Sequence, residues 1–209
     1  MNIVFFGDSI TQGYWGIHHG WVDRVRMYFS ELLFAKDEYH GVYNLGVDGD
    51  TAADISERIK SELQARVRPS HTIMPVVVIQ IGVNDELDET VRLEDAITEY
   101  KSQLQQITED VEGLYSEIVF VGYPACDESK TTPVSWGAYY YTNQKAKAYE
   151  DTMRSIAAEN SVKFVPVFDE FKKHLDAGED LLADGLHPND KGHKLSYQIV
   201  LPKLQEIVK

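Results

Sequence analysis

Apolar residues in this chain alternate between short continuous runs and runs with helical spacing. The first continuous run, "IVFF" at residues 3–6, stops abruptly at a Gly-Asp-Ser sequence. Runs of this kind, rich in β-branched and aromatic residues, predict strands. Most of these runs are almost continuously apolar, which is typical of strands that helices cover on both faces of a sheet. The predicted strands are 2–7, 41–46, 75–82, 117–123 and 162–168.

Between these runs, apolar residues recur every three or four positions, which predicts amphipathic helices. The clearest pattern begins at Leu93 and continues to Val111. Thr51 and Asp54 have the spacing of an N-cap residue and its partner in the first helical turn, so they predict a helix start. Three further helices are predicted. One contains Trp21 to Leu33, one contains Ala146 to Ile156, and the last starts near Asn189 or Asp190.

The regular alternation of strands and helices indicates a mostly parallel sheet with helices on both faces. We expect a single domain, residues 1–209, with a three-layer α/β/α sandwich of flavodoxin-like type. Its five parallel strands should have the order 2-1-3-4-5. Pro166 favours an edge position for the fifth strand, because a proline cannot donate a hydrogen bond to the sheet. Pro202 is expected to kink or end the last helix.

Composition limits the kinds of partner that the protein can have. It contains 34 acidic and 20 basic residues, a formal net charge of −14, which repels nucleic acids and anionic lipid surfaces. No apolar run approaches the roughly 18 residues of a membrane helix, and no secretory signal is recognisable. We therefore expect a cytoplasmic protein with neither a nucleic-acid nor a membrane partner. Cys126 is the only cysteine, which excludes an internal disulfide and indicates a small core residue.

Polar residues follow three of the predicted strands at the point where each strand ends. Strand 1 is followed by Asp-Ser at 8–9, strand 2 runs into Asn-Leu-Gly at 44–46, and strand 3 runs into Gly-Val-Asn-Asp at 82–85. The carboxyl ends of parallel strands share one edge of the sheet, where ligands bind. A fourth polar segment, "ADGLHPND" at 183–190, precedes the last helix. We expect these four segments to converge.

A serine, a histidine and an aspartate in these segments have the chemistry of nucleophilic catalysis. The hydroxyl of Ser9 becomes a strong nucleophile when a neighbouring base takes its proton, and His187 can be that base near neutral pH. Asp184 is close enough in sequence to orient the imidazole. An oxyanion also needs donors, for which the candidates are the backbone amides of Ser9 and Gly46 and the side-chain amide of Asn84.

Each segment also has a simpler interpretation. Gly-Asp-Ser is a common turn sequence, in which Asp8 is expected to accept hydrogen bonds from nearby backbone amides. The segment "DGLHPND" could be a polar turn before a helix cap. A metal site with Asp184, His187 and His193 is a further alternative, although no additional firm ligand can be named for it. The G-x-S-x-G, phosphate-loop and dinucleotide-binding motifs are absent.

The residues resemble the four sequence blocks of the SGNH (GDSL-type) serine hydrolases. They are Gly7-Asp8-Ser9-Ile10, Gly46 within "NLGVDGDT", Gly82-Val83-Asn84-Asp85 and Asp184-Gly185-Leu186-His187-Pro188, in this order over nearly the whole chain. The resemblance implies a flavodoxin-like fold and no required metal or organic cofactor. It also implies that Ser9 is the nucleophile, His187 the base and Asp184 the acid that orients the base. The implied oxyanion hole consists of the backbone amides of Ser9 and Gly46 and the side-chain amide of Asn84.

We therefore expect a serine esterase that hydrolyses small-molecule carboxylic esters, short-chain or acetyl esters in particular, through an acyl-enzyme intermediate. The same site could belong to a carbohydrate O-acetylesterase, a thioesterase or a lysophospholipase. A catalytically silent protein that binds an acylated ligand, or a metal-dependent hydrolase, would be a different class. In the aromatic segment 134–143, either Trp136 or one of Tyr139–Tyr141 is a candidate to line the substrate pocket, as is Trp15. They could instead cover the sheet or form a subunit contact.

Overall fold

The computed structural model describes residues 1–66, 74–86, 91–115 and 117–208. Within these ranges the strands form one sheet in the order β2-β1-β3-β4-β5, and every neighbouring pair is parallel. The predicted fold class and strand order are therefore confirmed. The strands are β1 (Asn2–Gly7), β2 (Gly41–Gly46), β3 (Val76–Gln80), β4 (Glu117–Val121) and β5 (Lys163–Val165).

Helices lie between the strands and cover the sheet. The predicted cap of the third helix is present, because the Thr51 hydroxyl accepts from the Asp54 amide and the Asp54 carboxylate accepts from the Thr51 amide. A 3₁₀ turn, Asn84–Glu86, follows β3. The helices are α1 (Ser9–Gln12), α2 (Trp21–Lys36), α3 (Ala52–Gln64), α4 (Leu93–Asp110), α5 (Glu128–Thr131), α6 (Asn143–Glu159), α7 (Phe168–Asp176) and α8 (Asp190–Ile207).

The core is formed by the two central strands and the apolar stripes of the helices. All five side chains of β3 are buried, as are those of residues 3–6 in β1. On α3, the residues Ile55, Ile59 and Leu63 are fully buried, as the helical spacing predicts. Each such side chain stabilises the fold by about 1.5–3 kcal/mol on burial. The sheet therefore holds the carboxyl ends of β1 and β3 in fixed positions.

Three predicted strands are longer than those in the structure. β3 ends at Gln80, two residues before Gly82, and β4 ends at Val121, directly before Gly122. β5 contains only three residues and ends before Pro166. Phe168, which the sequence pattern placed in this strand, begins α7, a helix that was not predicted. The apolar run continues from the strand into the helix, so composition alone gave no boundary.

Pro202 lies inside α8, which continues to Ile207. Of the two expected effects of Pro202, a kink or an end of the helix, the second is therefore wrong. An interior proline removes one backbone hydrogen bond and costs about 3 kcal/mol. Val200 and Leu204 flank it and are fully buried, so packing of α8 against the rest of the fold offsets that cost.

Two expectations from composition concern individual features of the fold. Cys126 is buried, and its thiol donates to the carbonyl of Tyr141 at 3.5 Å, as expected of a small core residue. No helix in the described ranges is long and apolar enough to cross a membrane.

Candidate active site

The Gly-Asp-Ser sequence ends β1 and begins the short helix α1. Asp8 is the N-cap, and its Oδ1 accepts a hydrogen bond of 2.8 Å from the amide of Ile10. The expected anchoring of this turn by Asp8 is therefore confirmed. Gly13 ends α1 in a left-handed conformation with φ of 99°, which glycine adopts without steric cost. Ser9 is thus the first helical residue at the carboxyl edge of the sheet.

Ser9, His187 and Asp184 form one continuous chain of hydrogen bonds. The Oγ atom of Ser9 lies 3.1 Å from Nε2 of His187, and Nδ1 of the same ring lies 2.7 Å from Oδ2 of Asp184. The other carboxylate oxygen of Asp184 accepts from the amides of Leu186 and His187, at 2.9 and 2.8 Å. Both oxygens of Asp184 are therefore fixed, and Ser9 is only 3% exposed.

The charge of Asp184 supports one tautomer of His187. Burial by itself would raise the pKa of Asp184, but hydrogen bonds from the His187 ring and from the amides of His187 and Leu186 outweigh it. The pKa of Asp184 therefore lies below its ordinary value. An ionised carboxylate at Nδ1 favours a proton on that nitrogen, which leaves Nε2 as an acceptor for the Ser9 hydroxyl.

The loop that carries Asp184 and His187 is held against α5. The amide of Asp127 donates to the carbonyl of Gly185 at 2.8 Å. Gly185 has a φ of 99°, and a Cβ at this position would lie 2.6 Å from the Cβ of Lys130. Only glycine therefore allows this close approach, which keeps the histidine in a fixed place relative to the segment after α5.

Two of the predicted oxyanion donors lie at the ends of β1 and β3. The amide of Ser9 is in the first turn of α1, where a helix supplies no acceptor for it. Asn84 begins the 3₁₀ turn after β3, and its Nδ2 donates to the carbonyl of Asp50 at 2.9 Å. One hydrogen of this amide group is therefore used to fix the side chain, and within the described residues the other has no hydrogen bond and could face a ligand.

The third predicted donor, Gly46, has a different role in the structure. Its amide donates to Oδ1 of Asn44 at 3.0 Å. A Cβ at this position would lie 2.4 Å from the backbone nitrogen of Gln12 and 2.8 Å from the carbonyl oxygen of Asp8. Gly46 therefore allows α1 to pack against the end of β2. The structure does not support the expectation that its amide faces an oxyanion.

A second glycine of the same segment, Gly49, faces open space. Its φ is 83°, and no atom lies within 4 Å of the position that a Cβ would occupy. The next residue, Asp50, provides the carbonyl that binds Asn84. Arg58 pairs with the Asp50 carboxylate at 2.8 Å and donates to the carbonyl of Leu45 at 2.8 Å. The loop is thereby fastened to the end of β2. Gly49 was not among the predicted site residues, although a glycine two residues before the helix cap Thr51 was a usable signal.

Gln80 links the helices beneath Ser9 to the sheet, and the sequence analysis missed it as well. Its Oε1 accepts from the Thr11 hydroxyl at 3.1 Å and from the Trp21 indole at 3.0 Å. Its Nε2 donates to the carbonyl of Gly122 at 2.8 Å. The signal for this network was a single amide residue within the apolar run "VVVIQIG".

Two buried carboxyl groups support the loops of the site. Burial raises the pKa of Asp8 to about 7, against the opposing hydrogen bond from the Ile10 amide. Burial likewise raises the pKa of Asp85 to about 7, although the amide of Ala52 donates to it at 3.0 Å. Through this hydrogen bond, Asp85 connects the 3₁₀ turn, which contains Asn84, to the start of α3.

Aromatic rings lie on two sides of His187. The ring centroids of Tyr14 and Trp136 are 5.6 and 5.8 Å from that of His187. Trp15 contacts Tyr14 edge to face at 5.6 Å. Of the other predicted pocket residues, Tyr141 is buried in the core, whereas Tyr139 and Tyr140 are exposed at the surface.

The alternative metal site does not come together. The described ranges contain no group of three or more His, Cys, Asp or Glu side chains placed to hold a metal ion. Both ring nitrogens of His187 already have protein partners. Nε2 of His193 lies 2.9 Å from the carbonyl oxygen of Tyr14, to which it donates.

Comparisons with known proteins identify the family of the chain. The sequence model of the "GDSL-like Lipase/Acylhydrolase family" matches residues 5–195. The "GDSL esterase/lipase WDL1" of Oryza sativa subsp. japonica is 24% identical over 97% of this chain and 77% of its own length. The "Isoamyl acetate-hydrolyzing esterase" of Saccharomyces cerevisiae is 31% identical over 80 residues. That match covers 38% of this chain and only 33% of the yeast protein.

Solved structures show the same fold. A lipolytic protein of the G-D-S-L family from Veillonella parvula superposes with a TM-score of 0.70 and 21% identity over 98% of both chains. A catalytic mutant of Axe2, an acetylxylan esterase from Geobacillus stearothermophilus, has a TM-score of 0.70 and 22% identity. That match covers 97% of this chain and 93% of the Axe2 chain. At this level of identity the likeness establishes the architecture.

Proposed function

The chain belongs to the GDSL-like lipase/acylhydrolase family, and we propose that it acts as a serine esterase on short-chain or acetyl carboxylic esters. The observation that carries this proposal is the hydrogen-bond chain from Ser9 through His187 to Asp184. The names of an isoamyl acetate-hydrolyzing and an acetylxylan esterase among similar proteins support the choice of acetyl esters. The proposed catalytic unit is one domain, residues 1–209, and its partner is a small-molecule ester.

The reaction proceeds in two steps. Oγ of Ser9 attacks the ester carbonyl carbon while Nε2 of His187 accepts the hydroxyl proton, which gives a tetrahedral oxyanion. The bond between the carbonyl carbon and the alcohol oxygen then breaks, and His187 returns the proton to that oxygen. In the second step a water molecule attacks the acyl-enzyme, and His187 transfers the water proton to Oγ of Ser9 as the acid leaves. Asp184 stabilises the imidazolium form in both steps.

We assign the oxyanion donors to the amide of Ser9, the side chain of Asn84 and the amide of Gly49. Gly49 replaces Gly46 in this proposal because the Gly46 amide is bound to Asn44. Gly49 is adjacent to the carbonyl that orients Asn84, and it has room for a substrate at its missing side chain. Each such donor contributes about 10²–10³-fold to turnover in a preorganised site.

The decisive experiment measures hydrolysis of p-nitrophenyl acetate, butyrate and octanoate, together with labelling by a fluorophosphonate. We expect acetate and butyrate turnover by the wild type and a covalent label on Ser9, identified by mass spectrometry. Ser9→Ala should lose the label and at least about 10³-fold of the activity. Ser102→Ala, a change on the exposed surface of α4, is the matched control.

Other results would favour the alternatives. Full activity of Ser9→Ala would contradict the proposal. Binding of an acylated ligand without turnover or label would indicate the silent class. Activity that a chelator abolishes would indicate a metal-dependent hydrolase. A panel of acyl-thioesters and lysophospholipids at equal concentration separates the thioesterase and lysophospholipase functions from the proposed one.

A further inference from the structure

We infer that Tyr14, Trp15 and Trp136 form an aromatic subsite for the leaving alcohol, and that this alcohol is a neutral sugar ring. We call these three residues the aromatic platform. The inference rests on the proposed esterase function and adds the class of alcohol to it.

The position of the platform follows from the path of the proton. His187 returns the proton to the alcohol oxygen from Nε2, so the alcohol must lie beside the exposed part of this ring. The rings of Tyr14 and Trp136 lie 5.6 and 5.8 Å from the His187 ring. The acyl carbonyl instead points towards Asn84 and the Ser9 amide. The platform therefore borders the alcohol, and the oxyanion donors lie on the acyl side.

One half of the platform is held by strained backbone. Trp15 has a φ of 61°, in the left-handed region that a bulky residue adopts only when its surroundings impose it. The amide of Tyr14 donates to the carbonyl of Ser9 at 2.9 Å, and the carbonyl of Tyr14 accepts from the buried His193 at 2.9 Å. Both aromatic side chains are thereby presented directly after the helix of the nucleophile.

The other half is held by a closed loop. The amide of Val134 donates to the carbonyl of Tyr139, and the amide of Tyr141 donates to the carbonyl of Thr131, both at 3.0 Å. Trp136 lies inside this loop. The loop follows α5, which is joined to the histidine loop through Gly185. The position of Trp136 relative to His187 is therefore fixed by backbone hydrogen bonds.

The exposure of the platform indicates what it binds. Tyr14, Trp15 and Trp136 are 45%, 52% and 47% exposed, so a ligand would bury one face on the rings and keep its other face in water. A sugar ring has this character, since it combines an apolar C–H face with hydroxyl groups at its edge. A long alkyl alcohol gains its binding energy only by enclosure on several sides. The net charge of −14 disfavours a phosphorylated or acidic sugar.

The test compares two acetates that share the acyl group and differ in the alcohol. The substrates are an O-acetylated methyl xyloside and ethyl acetate, followed by acid release in a pH-stat. We expect the wild type to prefer the sugar acetate. Trp136→Ala should lower kcat/KM for the sugar acetate about tenfold relative to ethyl acetate, mainly through KM. Trp136→Phe should retain most of the preference.

Phe34→Ala removes an exposed aromatic ring from α2, 88% exposed and outside the platform, and serves as the control. Thermal unfolding checks that each variant is folded. An equal loss on both acetates in Trp136→Ala would overturn the inference, as would a wild type that hydrolyses ethyl acetate without preferring the sugar acetate. No turnover of either acetate and no label on Ser9 would instead refute the esterase function itself.

Discussion

Replacing Gln80 by methionine removes a buried hydrogen-bond network while nearly preserving side-chain volume. Three groups then lose their partner inside the protein: the Thr11 hydroxyl, the Trp21 indole N–H and the Gly122 carbonyl. All three contacts are buried, so water does not replace the amide without a rearrangement.

The cost follows from these contacts. A buried polar group left unpaired destabilises a protein by about 1–3 kcal/mol. Three such groups give about 3–9 kcal/mol, and the greater hydrophobicity of methionine offsets part of it. We expect Gln80→Met to lower the free energy of unfolding by about 3–6 kcal/mol. This is a large fraction of the roughly 5–15 kcal/mol that stabilises a typical domain.

The assay is urea unfolding followed by tryptophan fluorescence, with the midpoint and slope fitted together. Thr11→Val is the matched control, because it deletes one donor and leaves Gln80 bound to Trp21. We expect it to cost about 1 kcal/mol. A loss of less than about 1 kcal/mol in Gln80→Met, or a loss no larger than that of Thr11→Val, would refute the view that this amide supports the Ser9 helix.

Three further predictions concern the site and its supporting loops. Asp184→Asn should lower kcat about 10³–10⁴-fold on p-nitrophenyl butyrate, because the amide favours the wrong histidine tautomer. Asp180→Asn at the surface is the control, and equal activities of the two variants would contradict the assignment of Asp184. Gly46→Ala should destabilise the fold by about 1–3 kcal/mol in thermal unfolding, because its Cβ would overlap the Gln12 backbone, and an unchanged melting temperature would disprove this packing role. Burial raises the pKa of Asp8 from an ordinary 3.8 to about 7 in the folded protein. Between these pH values the folded state binds a proton that the unfolded state has lost, so the stability of the fold decreases as the pH rises from about 4 to 7. The difference in unfolding free energy between wild type and Asp8→Asn should therefore shrink or change sign over this range, whereas a pH-independent difference would exclude a buried, protonated carboxyl group.

The sheet could be predicted because the sequence pattern that specifies it is local to each element and recurs along the chain. Continuous apolar runs that alternate with helical spacing can hardly be accommodated except in a parallel sheet between helices. The boundaries could not be predicted where one apolar run serves two elements. Phe168 ends the run of β5 but packs as the first residue of α7. Pro202 has the local preference of a helix terminator, and only the burial of its neighbours shows why α8 continues.

The candidate site was predictable to the level of residue type and approximate place. Ser9 and Asn84 could be identified because each follows a strand whose carboxyl end lies at the same edge of the sheet, and His187 because it lies in the polar segment before the last helix. The direction of a backbone amide could not be predicted in this way. Gly46 and Gly49 are separated by two residues, and the turn between them decides which amide is bound internally. The position of Trp15 beside Tyr14 likewise could not be predicted, because it depends on a left-handed backbone conformation at Trp15 that bulky residues rarely adopt.

Ser9 and its base His187 are separated by 178 positions, and this distance determines when reactivity arises. During synthesis the serine is made 178 residues before the histidine, and until the histidine is present the serine is an ordinary alcohol. It becomes a nucleophile only after the segment carrying the histidine has been made and has docked beside α1. In a refolding experiment, the onset of ester hydrolysis would therefore report when the segment that carries His187 docks beside α1, rather than when the sheet forms.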